Sequence, residues 1–192
     1  MDLSNADDAK KIVDGCIRGD VKYQQILYKA TYGKMLGLCL RYAENKEEAK
    51  DFLHDGFIKV FEKIKYFKYS GSVEGWIRKI IVNNTIDIIR RKNRMAFVSD
   101  AENDLMKLTA ESDDNLENIS NTQANAEIII GLIQELSPAY KTVFNLYVVE
   151  EYTHKEISEM LNISIGTSKS NLAKAKEKLK DMFIEKYGEY KK

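Results

Sequence analysis

The chain has 192 residues, 44% of them apolar, with 30 lysines and arginines balancing 30 aspartates and glutamates, ten glycines, one proline and two cysteines. Two cysteines exclude a disulfide framework, and so few glycines and prolines favour long helices over a sandwich or barrel. The acidic start "MDLSNADDAKK" is not a secretory signal, and no uncharged apolar run nears the ~20 residues of a membrane span, so a soluble, cytoplasmic protein without stable membrane insertion is expected.

From about Asp7 to Arg94 the apolar periodicity predicts consecutive helices. The first sets Ile12, Val13, Cys16 and Ile17 on one stripe and stops at Gly19-Asp20. The second carries Tyr23, Ile26, Leu27, Met35, Leu38, Cys39 and Tyr42. Cys16 and Cys39 thus fall in apolar stretches and read as small buried thiols. The third starts near Asn45, a cap with Glu48 three residues on, and aligns Ala49, Leu53, Phe57, Val60 and Ile64. Its other side bears Asp51, His54, Asp55, Ile58 and Glu62. After the loop "KYFKYSGS", a fourth helix runs from about Val73 through "RRKNR".

Residues 99–122 lack an apolar stripe and concentrate Asp, Glu, Asn and Ser, which predicts an extended acidic linker with one short turn around Leu105–Leu108. Residues 123–187 are helical again: Ile128, Leu132 and Leu136 line one face, and "AYKTVFNLYVVEEY" supplies Val143, Phe144, Leu146, Tyr147 and Val148. "THKEISEML" opens with a capping box, Thr153 and Glu156, and presents Ile157, Met160 and Leu161. "NISIG" is a turn, and the helix after it turns Leu172, Ala175, Leu179 and Met182 inward. A short capped helix, a tight turn and a longer basic helix make a helix-turn-helix. The expected fold is all-α: a helical domain at 1–98, the flexible acidic linker at 99–122, and a four-helix helix-turn-helix domain at 123–192.

The zero net charge hides a segregation that a polyanion would feel within a Debye length of ~8–10 Å. Residues 76–94 set six cations, Arg78, Lys79, Arg90, Arg91, Lys92 and Arg94, against Asp87, and residues 169–180 set five lysines against Glu177. Before the first cluster, Tyr66, Phe67, Tyr69 and Trp76 alternate with lysines, as a single strand requires: rings stack on bases and cations track phosphate. Arg90, Arg91 and Arg94 would take the adjoining duplex. In the last helix Lys169, Asn171 and Lys174 fall on the exposed arc, where Asn suits adenine and Lys suits guanine, and Ser164 caps the helix near amides that could meet phosphate. Asp51, His54, Asp55 and Ile58, an isoleucine among carboxylates, suit a protein partner better than DNA.

These residues resemble a bacterial RNA polymerase sigma factor of the sigma-70 family, in its short extracytoplasmic-function group. "GDVKYQQILYKATYGKMLGLCLRYAENKEEAKDFLHDGFIKVFEKI" with "GWIRKIIVNNTIDIIRRKNR" is similar to the family's second region, and "IQELSPAYKTVFNLYVVEEYTHKEISEMLNISIGTSKSNLAKAKEKLKDMF" to its fourth. The resemblance implies that Asp51, His54, Asp55 and Ile58 dock on the polymerase clamp. It implies that the loop around Tyr66–Trp76, with Arg78, Lys79 and Asn83, separates the strands at the −10 element and holds the non-template strand, Asp87 having a positioning role. The fourth region would dock on the flap and set Ser164, Thr167, Lys169, Asn171 and Lys174 against the −35 duplex, with Glu156 orienting the turn. Family members are commonly held inactive by an anti-sigma protein, a partner expected from the resemblance alone. His54 stands where the family usually has Gln, Ser137 precedes Pro138 where Leu is usual, and "TSKSNL" replaces Thr-Val-Lys-Ser-Arg-Leu, so that Ser168 replaces an inward Val and Asn171 an Arg. These departures bear on promoter preference.

No metal-ligand cluster, phosphate-binding glycine loop or nucleophile with a local base marks an enzyme, and no cofactor or metal is expected. The alternative reading is a free-standing helix-turn-helix regulator binding duplex operator as a dimer, which leaves the aromatic and arginine run without a role. A third is an interaction protein that occupies polymerase without reading promoters.

Overall fold

The structure, a computed structural model, describes residues 2–92 and 123–188, and among them only helices and turns occur. The expected linker at 99–122, its turn near Leu105–Leu108, and Arg94 lie outside the described residues. The chain divides into two compact units, Met1–Ile88 and Ile89–Lys192.

In the first unit, α1 (Ala6–Ile17) begins where the Asn5 side chain accepts from the Asp7 and Asp8 N–H groups, filling two of the four orphan donors of a helix start. It buries Ile12, Val13 and Cys16, whereas Ile17, expected on the same stripe, is 43% exposed in the last turn as the chain breaks away. Gly19 turns the chain at φ 77°, and Asp20 caps α2 (Val21–Tyr42) by accepting from Lys22 N. Helix α3 (Lys46–Lys63) is capped as the sequence predicts, with Asn45 Oδ1 accepting from Glu48 N at 2.8 Å. A single 3-10 turn (Ile64–Tyr66) then leads through the loop to α4 (Val73–Lys92).

The core of this unit is aliphatic: Ile12, Leu27, Met35, Leu38, Leu53, Val60, Ile77, Ile81 and Ile86 are essentially sealed from water. Burying each such side chain contributes about 1.5–3 kcal/mol, offset mainly by chain entropy. Gly56 lets α3 and α4 approach closely, because a Cβ there would stand 2.9 Å from Ile81 Cγ1. Both cysteines are buried free thiols, as expected, and desolvation pushes them up to about 11 at Cys16 and about 12 at Cys39.

In the second unit, α5 (Gln123–Glu135) buries Leu132 and Ile133, and Leu136 follows it into the core. Helix α6 (Pro138–Phe144) has proline at its first position, where the missing N–H costs nothing. It widens into a π-helical turn (Asn145–Val149), with Glu150 N donating to Asn145 O. That turn keeps Leu146 inside but leaves Tyr147 and Val148 at 39% and 44% exposure, off the apolar face the sequence suggests. Lys141 is an unforeseen core residue: only 3% exposed, its Nζ donates to the Gln134 carbonyl in the last turn of α5, where a cation meets the negative end of the dipole. Helices α7 (His154–Leu161) and α8 (Ile165–Tyr187) complete the unit, and α8 packs on α5, α6 and α7.

Candidate nucleic-acid and protein-binding surfaces

Three surfaces carry the residues singled out by sequence. On α3, Asp51, His54, Asp55, Ile58 and Glu62 are all exposed along one stripe while Phe52, Leu53, Gly56, Phe57 and Val60 are buried. The spacing i, i+3, i+4, i+7, i+11 explains why they share a face. Ile58 is 46% exposed among the acids.

The second surface spans the loop and α4. Gly75 N donates to Ser72 Oγ and Trp76 N to the Ser72 carbonyl, so Ser72 fixes where α4 begins. From there Trp76, Lys79, Asn83 and Asp87 follow one water-facing stripe, opposite the buried Ile77, Ile81 and Thr85. Trp76 and Asp87 are half-buried, and Lys79 and Asn83 are exposed. Seven residues of helix separate Trp76 from Asn83 by about 10 Å, the reach of two or three nucleotides. Arg78 is half-buried on the flank, as is Arg90, and Arg91 is exposed.

The loop rings are not equivalent. Tyr66 is 66% exposed, with Lys65 Nζ 5.1 Å from its ring centre. Phe67, expected beside it as a stacking platform, is only 8% exposed. Its ring lies 5.2 Å from Tyr69 and 5.4 Å from Trp76, so it underpins those two and has no free face to offer a base. Tyr69 is 44% exposed and sits at φ 55°, a left-handed conformation that costs a non-glycine residue on the order of 1 kcal/mol. Its hydroxyl donates to Asp14 of α1. Desolvation of the hydroxyl, then the bond to Asp14 and that carboxylate's charge, push the phenol up to about 12.

The third surface is the helix-turn-helix. Its capping box is formed on both sides: Thr153 N donates to Glu156 Oε2 at 2.8 Å and Glu156 N to Thr153 Oγ1 at 3.3 Å. The turn is made by Asn162 at φ 55°, and Ser164 caps α8 by accepting from Thr167 N at 2.9 Å. Lys169 is exposed, and Thr167 and Lys174 are half-buried.

Asn171, expected on the outer arc, is 1% exposed. It lies three residues after Ser168 and four before Ala175, both sealed, and so falls on the inner stripe of α8; its Nδ2 has no hydrogen-bond partner among the described residues. The arc it vacates carries Gly166, Lys169 and Ala173. Ser168 is inward, as the pattern requires, and its hydroxyl shares a 2.9 Å hydrogen bond with His154 Nδ1. The His154 ring stacks on Tyr147 at 4.5 Å, and burial, then the charge of Lys169, hold the imidazole below the ordinary histidine value. Lys178 leans over the Tyr140 ring at 5.1 Å, packing back onto α6.

Sequence reasoning missed Asp14, whose only signal is a carboxylate on a short helix far from the loop, and the pairing of His154 with Ser168. It also missed Gly56, whose signal was an isolated glycine inside a strongly apolar helical pattern.

Two segments of the chain match known protein families. Residues 27–95 match the family described as Sigma-70 region 2, and residues 126–179 match that described as Sigma-70, region 4. The chain is 27% identical over 144 residues to the ECF RNA polymerase sigma factor SigE of Mycolicibacterium smegmatis, covering 75% of this chain but only 55% of that longer protein. It is 25% identical over 175 residues to the ECF RNA polymerase sigma-E factor of Haemophilus influenzae, covering 88% of this chain and 92% of that one. Among solved structures, the sigma factor RpoE from Bartonella quintana, co-crystallised with the anti-sigma factor NepR, is similar at 15% identity and a TM-score of 0.49, covering 83% of this chain and 95% of that one. With both regions present in order, the chain belongs to the sigma-70 family of RNA polymerase sigma factors, in its extracytoplasmic-function group.

Proposed function

We propose that the chain is a promoter-targeting subunit that binds core RNA polymerase, brings it to specific promoters and stabilises strand opening, without chemistry of its own. The observation that carries this reading is the presence, in one chain, of a ring-and-cation surface suited to an opened strand and a capped helix-turn-helix suited to duplex.

In this reading the acidic stripe of α3, Asp51, His54, Asp55 and Ile58, is the polymerase-docking face, since its carboxylates would repel DNA. Tyr66, Tyr69 and Trp76 stack on bases of the melted −10 segment, Phe67 serves only as their support, and Lys79 and Asn83 follow the strand along α4. Arg78, Arg90 and Arg91 contribute positive potential to phosphate. Helix α8 enters the major groove of the −35 element, with Lys169 and Lys174 donating to phosphate or guanine and Ser164 and Thr167 at its N-terminus near the backbone. Ala173, on the arc expected for Asn171, offers an apolar contact to a thymine methyl. The domains would span 1–98 and 123–192, with 99–122 as the join, and an anti-sigma partner enters on family grounds.

Run-off transcription with purified core polymerase and a genomic DNA library, sequencing the 5′ ends, tests the proposal. New start sites preceded by two shared elements are expected when the chain is added. Binding of duplex operator by the free protein as a dimer, with no new starts, would favour the free-standing regulator instead.

A further inference from the structure

Helix α1 precedes both segments that match the family regions, the first of which begins at residue 27, yet it reaches the strand-facing loop. It packs on α2 and on the 3-10 turn that leads into that loop. Its seat is close: a Cβ on Gly15 would stand 2.2 Å from the Tyr23 ring, so α1 lies hard against α2 there. The neighbouring residue, Asp14, accepts the hydrogen bond of the Tyr69 hydroxyl across 55 residues of sequence.

Tyr69 needs such an anchor. Its backbone is left-handed at φ 55°, and Gly71 two residues on is at φ 91°, so the loop holds a shape that local preference does not select. Phe67 supports one side of the Tyr69 ring, and Asp14 fixes its far end. The ring is thereby held with 44% of its surface open, as a rigid platform whose ordering cost has been met before a base arrives. An acid is a poor phosphate contact, so Asp14 would act through Tyr69.

We propose that Asp14 is a positioning residue for opened-strand capture, presetting the Tyr69 platform from outside the two family-matched regions. This rests on the strand-reading role assigned above to the loop and Trp76.

The test uses full-length protein with core polymerase and a fork-junction fragment built from a promoter returned by the run-off sequencing, compared with the same fragment fully paired. Asp14→Ala and Tyr69→Phe should each weaken fork-junction binding about 2- to 10-fold, the range of one lost hydrogen bond. The double variant should lose no more than either single one, because both remove the same bond. Asp14→Asn, whose amide oxygen still accepts, should restore most of the binding. Capture of the paired fragment by Asp14→Ala should stay at the parental value, and its thermal midpoint should fall by no more than the few degrees one lost hydrogen bond allows. Additive losses, or undiminished fork-junction binding by Asp14→Ala while Trp76→Ala still impairs it, would overturn the positioning role alone. If Trp76→Ala also binds the fork junction normally, the strand-reading assignment falls, and the role of Asp14 falls with it.

Discussion

His154 Nδ1 lies 2.9 Å from Ser168 Oγ, tying the first residue of α7 to the buried face of α8 across the turn. The bond gives a buried hydroxyl its partner at a position where the family usually has an inward valine, so the serine does not leave an unmet polar group in the core. Because burial and Lys169 hold His154 below its ordinary value, the folded unit binds its proton less readily than the unfolded chain does. Stability is therefore full above the unfolded value of about 6.5 and declines as pH falls through it and on through the lower folded value. Thermal melts between pH 8 and pH 5 should show this decline, and His154→Gln should flatten it.

Gly56→Ala should destabilise the first unit even though alanine is the better helix former. The propensity gain is about 1 kcal/mol, but the new methyl meets the fully buried Ile81 at 2.9 Å, and overpacking costs about 1–3 kcal/mol. Urea unfolding should show a lower midpoint with an unchanged slope.

Phe67 and Tyr66 are neighbours with opposite expectations. Phe67→Ala removes a buried ring and should cost about 3–5 kcal/mol of stability, read by denaturant unfolding. Tyr66→Ala should change stability by less than about 0.5 kcal/mol. It should nevertheless reduce permanganate reactivity of thymines in the melted segment, because a stacking face worth about 1–3 kcal/mol is lost.

Lys169→Ala should weaken promoter binding and lower the salt slope by about one, measured by titration at several salt concentrations. Asn171→Leu should leave both the slope and the −35 preference unchanged. Replacing a sealed amide whose Nδ2 is unpartnered by an apolar side chain of the same branched shape removes the cost of the unmet donor, which offsets the bulk of the two methyl groups, so the melting temperature should change by no more than a few degrees.

Asp51→Lys with Asp55→Lys should cut core-polymerase affinity at least tenfold in a pull-down titration, with the far-ultraviolet helical signal preserved, since both side chains are exposed. Charge reversal at a docking face adds repulsion to the lost attraction, and the effect should shrink as salt is raised.

Local patterns along the chain were enough to specify the helices, most of their caps and the two faces of α3. Asn45, Thr153, Glu156 and Ser164 were readable as caps because capping is a local arrangement of side chain and nearby amides. The acidic stripe of α3 was readable because a 3.6-residue period separates wet from dry positions without reference to any other helix. Tertiary structure decided the rest. A wheel with Leu172, Ala175 and Leu179 inward put Asn171 on the outer arc, and the run of rings among lysines made Phe67 a ligand platform, but how wide a stripe is buried depends on which neighbouring surfaces arrive, and those come from distant parts of the chain. The bond from Tyr69 to Asp14, the approach of Ile81 to Gly56 and the pairing of His154 with Ser168 join positions that no local periodicity relates, so they exist only once the helices have packed.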